Sequence, residues 1–197
     1  SLSLIRAFEA EGSSWYVLFY EPSNWIPFIF YFAVGAICGY VRMKNKENIK
    51  VCLVGSSGGH LTHLYMLKPF WKNKDHFWVT FDKEDARSLL EGEKMYPCYY
   101  PTNRSLKALI KNTKIAWNVL HKEKPDLIIS CGAAVAVPFF YIGKMMGAKL
   151  VYIEVFDRID KPTMTGKMVY PIVDKFVVQW EEQKKVYPKA VNLGSIF

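Results

Sequence analysis

Residues 51–64 constrain the fold of this chain more than any other stretch. An apolar run (VCLV) ends in the turn Gly55-Ser56-Ser57-Gly58-Gly59, and a helical pattern starts at His60. A strand, a glycine-rich loop and a helix in this order are typical of nucleotide-binding α/β folds. Glycine lets the backbone turn tightly and approach a ligand closely, and free N–H groups at the start of a helix favour an anion. The spacing matches neither Gly-x-Gly-x-x-Gly nor a Walker loop. We expect the five turn residues to bind a phosphate or pyrophosphate, with a tight turn that binds no ligand as the alternative.

The chain from Ile49 onward alternates strand and helix. Predicted strands cover residues 49–54, 76–81, 96–100, 126–130, 149–154 and 175–179. Predicted helices cover residues 60–71, 82–90, 104–121, 135–146, 165–170 and 181–187. Such alternation indicates an α/β fold, a Rossmann-like parallel sheet with helices on both faces, over residues 49–197.

The first 48 residues differ in character. Residues 25–41 form an uncharged apolar run of 17 residues that follows several aromatic residues and precedes Arg42, Lys44 and Lys46. A membrane span needs about 20 apolar residues, and basic residues flank its cytoplasmic end. We predict that residues 1–48 are a membrane-association segment and that the rest of the chain faces the cytoplasm. Pro27 and a short amphipathic stretch before it leave open whether the segment crosses the bilayer or lies on it.

Composition narrows the classes of partner. The net charge is +8 and hydrophobic residues make up 51% of the chain. An excess of positive charge suits an anionic bilayer, a phosphorylated substrate or nucleic acid. The aromatic residues stand in apolar runs rather than among lysines and arginines, which disfavours nucleic acid. Four widely spaced cysteines without a clustered histidine predict neither a disulfide framework nor a metal site.

Polar residues follow several of the predicted strands, at the edge where ligands of open α/β sheets bind. His60 opens the first helix, where it could contact a phosphate, take a proton or simply stabilise the turn. Glu154, Asp157 and Arg158 follow the fifth strand. Glu154 could orient a substrate hydroxyl while Arg158 binds a phosphate, or the two could form an ion pair.

Several motifs together resemble a known family. They are VGSSGGH at 54–60, YIEVFDR at 152–158, TGK at 165–167, YP at 170–171, QWEE at 179–182 and YPKA at 187–190. This set resembles the PssD-like bacterial exopolysaccharide glycosyltransferase subunits, which are similar to the membrane-anchoring subunit, number fourteen, of the eukaryotic asparagine-linked glycosylation pathway. Both are similar to the N-terminal half of a GT-B glycosyltransferase of the MurG type.

The resemblance implies a split enzyme of polysaccharide biosynthesis, anchored in the cell membrane. A separate subunit would bind the donor, a UDP-sugar of the hexosyl, hexuronosyl or N-acetylhexosaminyl class, and the acceptor would be a polyprenyl-pyrophosphate-linked sugar. No further cofactor and no metal is implied. His60 and Glu154 would assist the acceptor hydroxyl, and the glycine-rich turn would face the pyrophosphate. Asp157 stands where the family has alanine and offers another carboxylate as base. The alternative is a non-catalytic scaffold that recruits and activates its partner.

Overall fold

The computed structural model describes residues 48–100, 106–159 and 161–194. The predicted membrane-association segment lies outside these residues, except for its last position. Within the described ranges, no helix is both long enough and apolar enough to cross a membrane.

One sheet of seven parallel strands organises the domain, in the order β3-β2-β1-β4-β5-β6-β7. The strands are β1 (Lys50–Val54), β2 (Asp75–Phe81), β3 (Met95–Cys98), β4 (Leu127–Ser130), β5 (Lys149–Ile153), β6 (Lys175–Val178) and β7 (Val191–Asn192). The helices are α1 (Gly59–Met66), α2 (Lys68–Trp71), α3 (Glu84–Leu89), α4 (Leu106–Glu123), α5 (Ala136–Met145) and α6 (Met164–Val169), followed by a 3-10 helix at Glu181–Lys185.

Helices cover both faces of the sheet, as the alternating pattern predicts. Side chains of a strand point to opposite faces in turn, so Cys52 and Val54 belong to one buried cluster and Val51 and Leu53 to the other. The first cluster includes residues of α4 and α5, and the second includes residues of α1, α2 and α3. Buried free cysteines lie in both clusters. The predicted fold class is confirmed.

Two predicted helices differ from the structure. Residues 60–71 form α1 and α2 with Leu67 between them, because Pro69 has no N–H to bond the preceding turn. Asp82 was expected to cap the next helix, but α3 begins at Glu84. The Asp82 carboxylate instead accepts hydrogen bonds from the Arg87 guanidinium at 2.6 and 2.8 Å.

Helix α4 buries only part of the side that its apolar residues predict. The apolar residues of the helix are Leu106, Leu109, Ile110, Ile115, Ala116 and Val119, and the amphipathic pattern predicts that they form its inner side. Ile110 is 70% exposed and Leu109 is 39% exposed, whereas the polar residue Asn112 is buried. Asn112 is buried because its amide accepts from the Tyr99 N–H at 2.8 Å and donates to the Tyr99 carbonyl at 3.0 Å. Ala116 and Val119 are buried as predicted, and in the first half of the helix Ala108 and Asn112 take the inner positions that were assigned to Leu109 and Ile110.

The end of the chain also differs in detail. The two-residue strand β7 was not predicted, because a pair of residues carries no periodic signal. The predicted helix over residues 181–187 is a 3-10 helix of five residues.

Candidate functional site

The switch in strand order lies between β1 and β4, since the chain moves from β3 at the sheet edge back to the side of β1. Ligands of open α/β sheets bind outside the carboxyl ends of the strands at such a point. The loops after β1, β4 and β5 meet there. Their residues form the candidate site.

His60 is half-buried on the first turn of α1 and contacts the loop after β4. Its Nδ1 lies 2.9 Å from the carbonyl oxygen of Cys131. A carbonyl oxygen only accepts hydrogen bonds, so Nδ1 carries the proton in this contact. In the neutral ring, Nε2 then holds the lone pair. The geometry thus fixes the tautomer in which Nε2 can accept a proton from another molecule.

Gly132 provides the space for the His60 ring. Its φ is +121°, and a Cβ built on it would lie 2.7 Å from Cε1 and 2.8 Å from Nδ1 of His60. The Ser130 hydroxyl shapes the same turn, because Ser130 Oγ donates to the Gly132 carbonyl and accepts from its N–H, both at 3.1 Å. The sequence motifs assign no role to Gly132. The signal that could have revealed it is a glycine two residues after the end of a buried strand.

The glycine-rich turn after β1 is tied to neighbouring elements. The Gly55 N–H donates to the Val79 carbonyl at 3.0 Å. The Gly58 N–H donates to the Asp85 carboxylate at 2.8 Å, and a cavity of about 450 Å³ between α1 and α3 includes both residues. Ser56 and Ser57 are half-buried and Gly59 is exposed. The Gly58 amide therefore binds an acidic side chain of the protein itself, and anion binding by this turn stays a prediction.

Glu154 is fully buried and its carboxylate is bound by groups of the protein interior. The hydroxyl of Thr163 donates at 2.9 and 3.1 Å to its two oxygens, and the Tyr187 hydroxyl donates at 3.0 Å. Burial and the nearby carboxylate raise the pKa of the Tyr187 phenol. A Cβ on Gly166 would lie 2.5 Å from Glu154 Oε2. This geometry does not support Glu154 as a base in contact with substrate; the residue fixes the loop after β5.

The alternative of an ion pair between Glu154 and Arg158 is wrong within the described residues, because Glu154 points inward and Arg158 is exposed. Asp157 is also exposed, near His63 on α1. Burial lowers the pKa of the His63 imidazole and His60 lowers it further, while the Asp157 carboxylate opposes both effects. His63 therefore lies within electrostatic range of both His60 and the Asp157 carboxylate. His63 stands three residues after His60, a spacing that puts both on one face of a helix.

The loops after β5 and β6 support each other. Gln179 Nε2 donates to the Glu154 carbonyl at 2.9 Å, and Trp180 Nε1 donates to the Phe156 carbonyl at 2.8 Å. The Trp180 and Phe156 rings lie 5.0 Å apart. These contacts hold the backbone that presents Asp157 and Arg158. In the part of the chain that the structure describes, no group of three or more His, Cys, Asp or Glu side chains could hold a metal ion.

Solved structures with the same fold are about twice as long as the matched region. The chain is similar to UDP-N-acetylglucosamine 2-epimerase from Rickettsia bellii, with a TM-score of 0.61, 16% identity, and coverage of 76% of this chain and 46% of that one. It is similar to MurG from Acinetobacter baumannii, with a TM-score of 0.56, 16% identity, and coverage of 68% and 42%. The chain thus spans less than half of either structure. At these identities the likeness shows the fold alone, which matches the N-terminal half of the GT-B architecture.

The chain is also similar to named proteins in its amino-acid sequence. The UDP-N-acetylglucosamine transferase subunit ALG14 of Homo sapiens is 26% identical over 182 residues, covering 77% of this chain and 84% of the relative. The subunit of the same name from Mus musculus is 24% identical over 192 residues, covering 81% and 88%. The narrower likeness to PssD stays a prediction. A family model described as "Oligosaccharide biosynthesis protein Alg14 like" matches residues 98–196, and the chain therefore belongs to the Alg14-like family of oligosaccharide biosynthesis proteins.

Proposed function

We propose that this chain is the acceptor-side subunit of a two-chain glycosyltransferase. It acts with a partner that binds UDP-N-acetylglucosamine and transfers the sugar to a polyprenyl-pyrophosphate-linked acceptor. Two relatives named as subunits of a UDP-N-acetylglucosamine transferase support the reaction, the donor and the existence of a partner. The sheet supports the assignment to one half of a GT-B enzyme, because the matched region covers less than half of the solved GT-B chains.

The contact between His60 and the Cys131 carbonyl is the observation that carries the chemistry. With Nδ1 protonated, Nε2 of His60 accepts the proton of the acceptor hydroxyl as that oxygen attacks C1 of the donor sugar. The bond between C1 and the β-phosphate oxygen breaks, and UDP leaves with the bonding electron pair. Attack from the face opposite the leaving group inverts the configuration at C1. We assign to the exposed Asp157 carboxylate the stabilisation of the positive charge that forms at this site, since it already opposes the lowering of the His63 pKa.

The phosphates require positively polarised groups rather than a particular cofactor. We assign Arg158 and the N–H groups of Ser56, Ser57 and Gly59, at the turn before α1, to the acceptor pyrophosphate, while the Gly55 N–H stays bonded to the Val79 carbonyl. A helix N-terminus and a guanidinium both neutralise such charge without a metal. The Gly58 amide joins them only when Asp85 releases it, because the carboxylate now accepts its hydrogen bond.

Residues 1–48 complete the proposal as the membrane-association segment. Their apolar run and the basic residues after it place the catalytic domain on the cytoplasmic side of the membrane. An acceptor with a polyprenyl chain is confined to a bilayer. A membrane-anchored subunit therefore encounters it by diffusion within the plane of the membrane. The product belongs to oligosaccharide or polysaccharide biosynthesis.

Reconstitution tests this function. Membranes that contain the chain, with or without its candidate partner, are supplied with lipid-linked acceptor and a panel of labelled UDP-sugars. We expect label in the lipid fraction only with both chains present and only from UDP-N-acetylglucosamine. Transfer by this chain alone would contradict the split enzyme, and transfer from another UDP-sugar would contradict the donor.

A non-catalytic scaffold is the second candidate, and two observations favour it. Glu154 is buried, and the Gly58 amide is bound by Asp85. A scaffold would recruit and activate the partner without a reacting group of its own. It predicts that replacing His60 leaves the turnover of the two-chain enzyme unchanged, whereas the catalytic proposal predicts a loss of turnover with partner binding retained.

A further inference from the structure

The cavity of about 450 Å³ between α1 and α3 has no role in the sugar-transfer step proposed above. Its volume is within the range of about 300–1,000 Å³ that is usual for small-molecule sites. Gly58 borders it at the N-terminal end of α1. The other residues that line it are Leu61, Thr62 and Tyr65 from α1 and Asp85, Ser88 and Leu89 from α3. We call it the α1–α3 cavity.

The protein itself uses most of the polar groups of this lining. The Thr62 hydroxyl donates to the Gly58 carbonyl at 3.3 Å, and the Tyr65 hydroxyl accepts from the Lys68 ammonium at 3.2 Å. One oxygen of the Asp85 carboxylate accepts from the Gly58 N–H at 2.8 Å. A ligand in the α1–α3 cavity therefore finds few polar groups that are not already engaged.

The surface left to a ligand is mainly apolar. Leu61 is buried, and Leu89 and the Tyr65 ring are half-buried. The Tyr65 ring packs on Trp71, with the ring centres 5.5 Å apart, so its position is fixed. Hydrocarbon that covers such a surface is removed from water, which favours binding.

The α1–α3 cavity and His60 lie on opposite sides of α1. His60 contacts Cys131 in the loop after β4, whereas α3 follows β2, and β1 lies between β2 and β4 in the sheet. Leu61 and Tyr65, four residues apart, face the side of α3. A ligand that reaches both His60 and the cavity must cross the N-terminus of α1, a width of about 10 Å.

An anionic oxygen already occupies the crossing point. It belongs to Asp85 and lies 2.8 Å from the Gly58 N–H. Phosphate oxygens bind the N–H groups at a helix start in the same way. The protein thus presents three environments in order: a proton acceptor at His60, an amide that binds an anionic oxygen at Gly58, and an apolar cavity beyond it.

We propose that the α1–α3 cavity binds the first isoprene units of the polyprenyl-pyrophosphate acceptor. The groups of such a molecule follow in the same order: a sugar hydroxyl, a pyrophosphate and a branched hydrocarbon chain. The inference rests on the proposed function, which places the sugar hydroxyl at His60 and the pyrophosphate at the turn before α1. A second saccharide fits the cavity less well, because a sugar ring needs many free hydrogen-bonding partners.

Prenyl pyrophosphates test the site without a sugar, a UDP-sugar or the partner subunit. The full chain in phosphatidylcholine nanodiscs is titrated calorimetrically with inorganic pyrophosphate, dimethylallyl pyrophosphate and geranyl pyrophosphate, which carry no, one and two isoprene units. Burial of one methylene strengthens binding about fourfold. We therefore expect the first isoprene unit to lower the dissociation constant by about tenfold or more.

A cavity-filling variant locates the hydrocarbon. Ser88 is exposed and lines the cavity, so the indole of Ser88→Trp would occupy the space of the isoprene unit. Asn73→Trp adds the same indole at an exposed position outside the lining. We expect Ser88→Trp to lose the gain from the isoprene unit and to keep its affinity for inorganic pyrophosphate, and Asn73→Trp to keep both. Leu89→Ala, which removes apolar wall instead of filling the space, should reduce the same gain.

A second pair of variants separates the pyrophosphate from the hydrocarbon. Asp85→Ala frees the Gly58 N–H and should tighten the binding of all three pyrophosphates equally, by about fivefold. Glu84→Ala removes the same charge from the neighbouring exposed residue and should have a smaller effect.

Several results would overturn the proposal. Equal affinity for inorganic and prenyl pyrophosphates would exclude a hydrocarbon site, and an undiminished gain in Ser88→Trp would place the hydrocarbon elsewhere, for example on residues 1–48. Competition by free N-acetylglucosamine that Ser88→Trp abolishes would assign the cavity to a saccharide. Weaker pyrophosphate binding in Asp85→Ala would contradict the crossing point at Gly58. Failure of sugar transfer with a retained isoprene gain would refute the proposed function alone.

Discussion

Replacing Gly132 with alanine tests whether the turn after β4 positions His60 for chemistry. The added Cβ would lie 2.7 Å from Cε1 of His60, whereas ordinary contacts begin near 3.4 Å. The imidazole must therefore move by about 0.7 Å or more, and its hydrogen bond to the Cys131 carbonyl must change. Misplacing a catalytic group by about 1 Å costs roughly a hundredfold in rate. We expect turnover of the two-chain enzyme to fall by about that factor.

The alanine also introduces backbone strain, because φ at Gly132 is +121°. Such strain costs about 1–3 kcal/mol of folding free energy. Gly92→Ala is the matched control, since Gly92 also has positive φ, +81°, but no atom within 4 Å of its added Cβ. Urea unfolding measures the stability of both variants, and initial rates of sugar transfer measure their turnover. Full activity in Gly132→Ala, or an equal loss in Gly92→Ala, would refute the positioning role of the turn.

Two further predictions concern buried carboxylates. Tyr187→Phe removes a donor to the fully buried Glu154 and should lower the free energy of unfolding by about 1.5–3 kcal/mol in urea titrations. Burial alone would raise the pKa of Glu123, but hydrogen bonds from Lys50, Lys94 and Tyr96 lower it from 4.5 to about 2. The carboxylate therefore stabilises the fold above pH 5, by about 3 kcal/mol, and this contribution is lost as pH falls toward 2.

Each of the two predictions on buried carboxylates has a control variant or a control measurement. Tyr170→Phe removes a hydroxyl that accepts from the exposed Lys189 N–H, and should cost less than Tyr187→Phe. Equal costs would show that the bond to Glu154 has no special weight. Glu123→Gln should differ most from the unsubstituted chain at neutral pH and converge with it near pH 2. A difference that stays constant with pH would mean that the ion pairs contribute nothing.

The regular alternation of strands and helices could be predicted from the sequence. Six of the seven strands and their order of occurrence followed from short apolar runs that end in turn residues, because buried parallel strands have this composition. Strand β7 has two residues and offers no pattern. The inner face of α4 was predicted only in part, because Asn112 and Glu123 are buried through partners 13 or more residues away in sequence. Such long-range pairing leaves no trace in helical periodicity.

The candidate site, like the fold, could be predicted only in part from the sequence. The sequence placed His60, Asp157 and Arg158 after strands of one sheet edge, and topology brings the loops of that edge together. It could not show that Glu154 points inward, because the direction depends on Thr163 and Tyr187 from later elements. The hydrogen bond from the Gly58 amide to the Asp85 carboxylate joins residues 27 apart in sequence, and the sequence pattern could not show it either.

The most direct test of the central claim is the turnover of His60→Asn in the two-chain enzyme. The asparagine amide keeps a donor for the Cys131 carbonyl but has no counterpart of Nε2, the proposed proton acceptor. General base catalysis contributes about 10²–10⁴-fold, so we predict a loss of N-acetylglucosamine transfer within that range while the partner still binds and unfolding in urea is unchanged. Turnover within a few-fold of the unsubstituted enzyme would contradict a catalytic His60 and favour the scaffold.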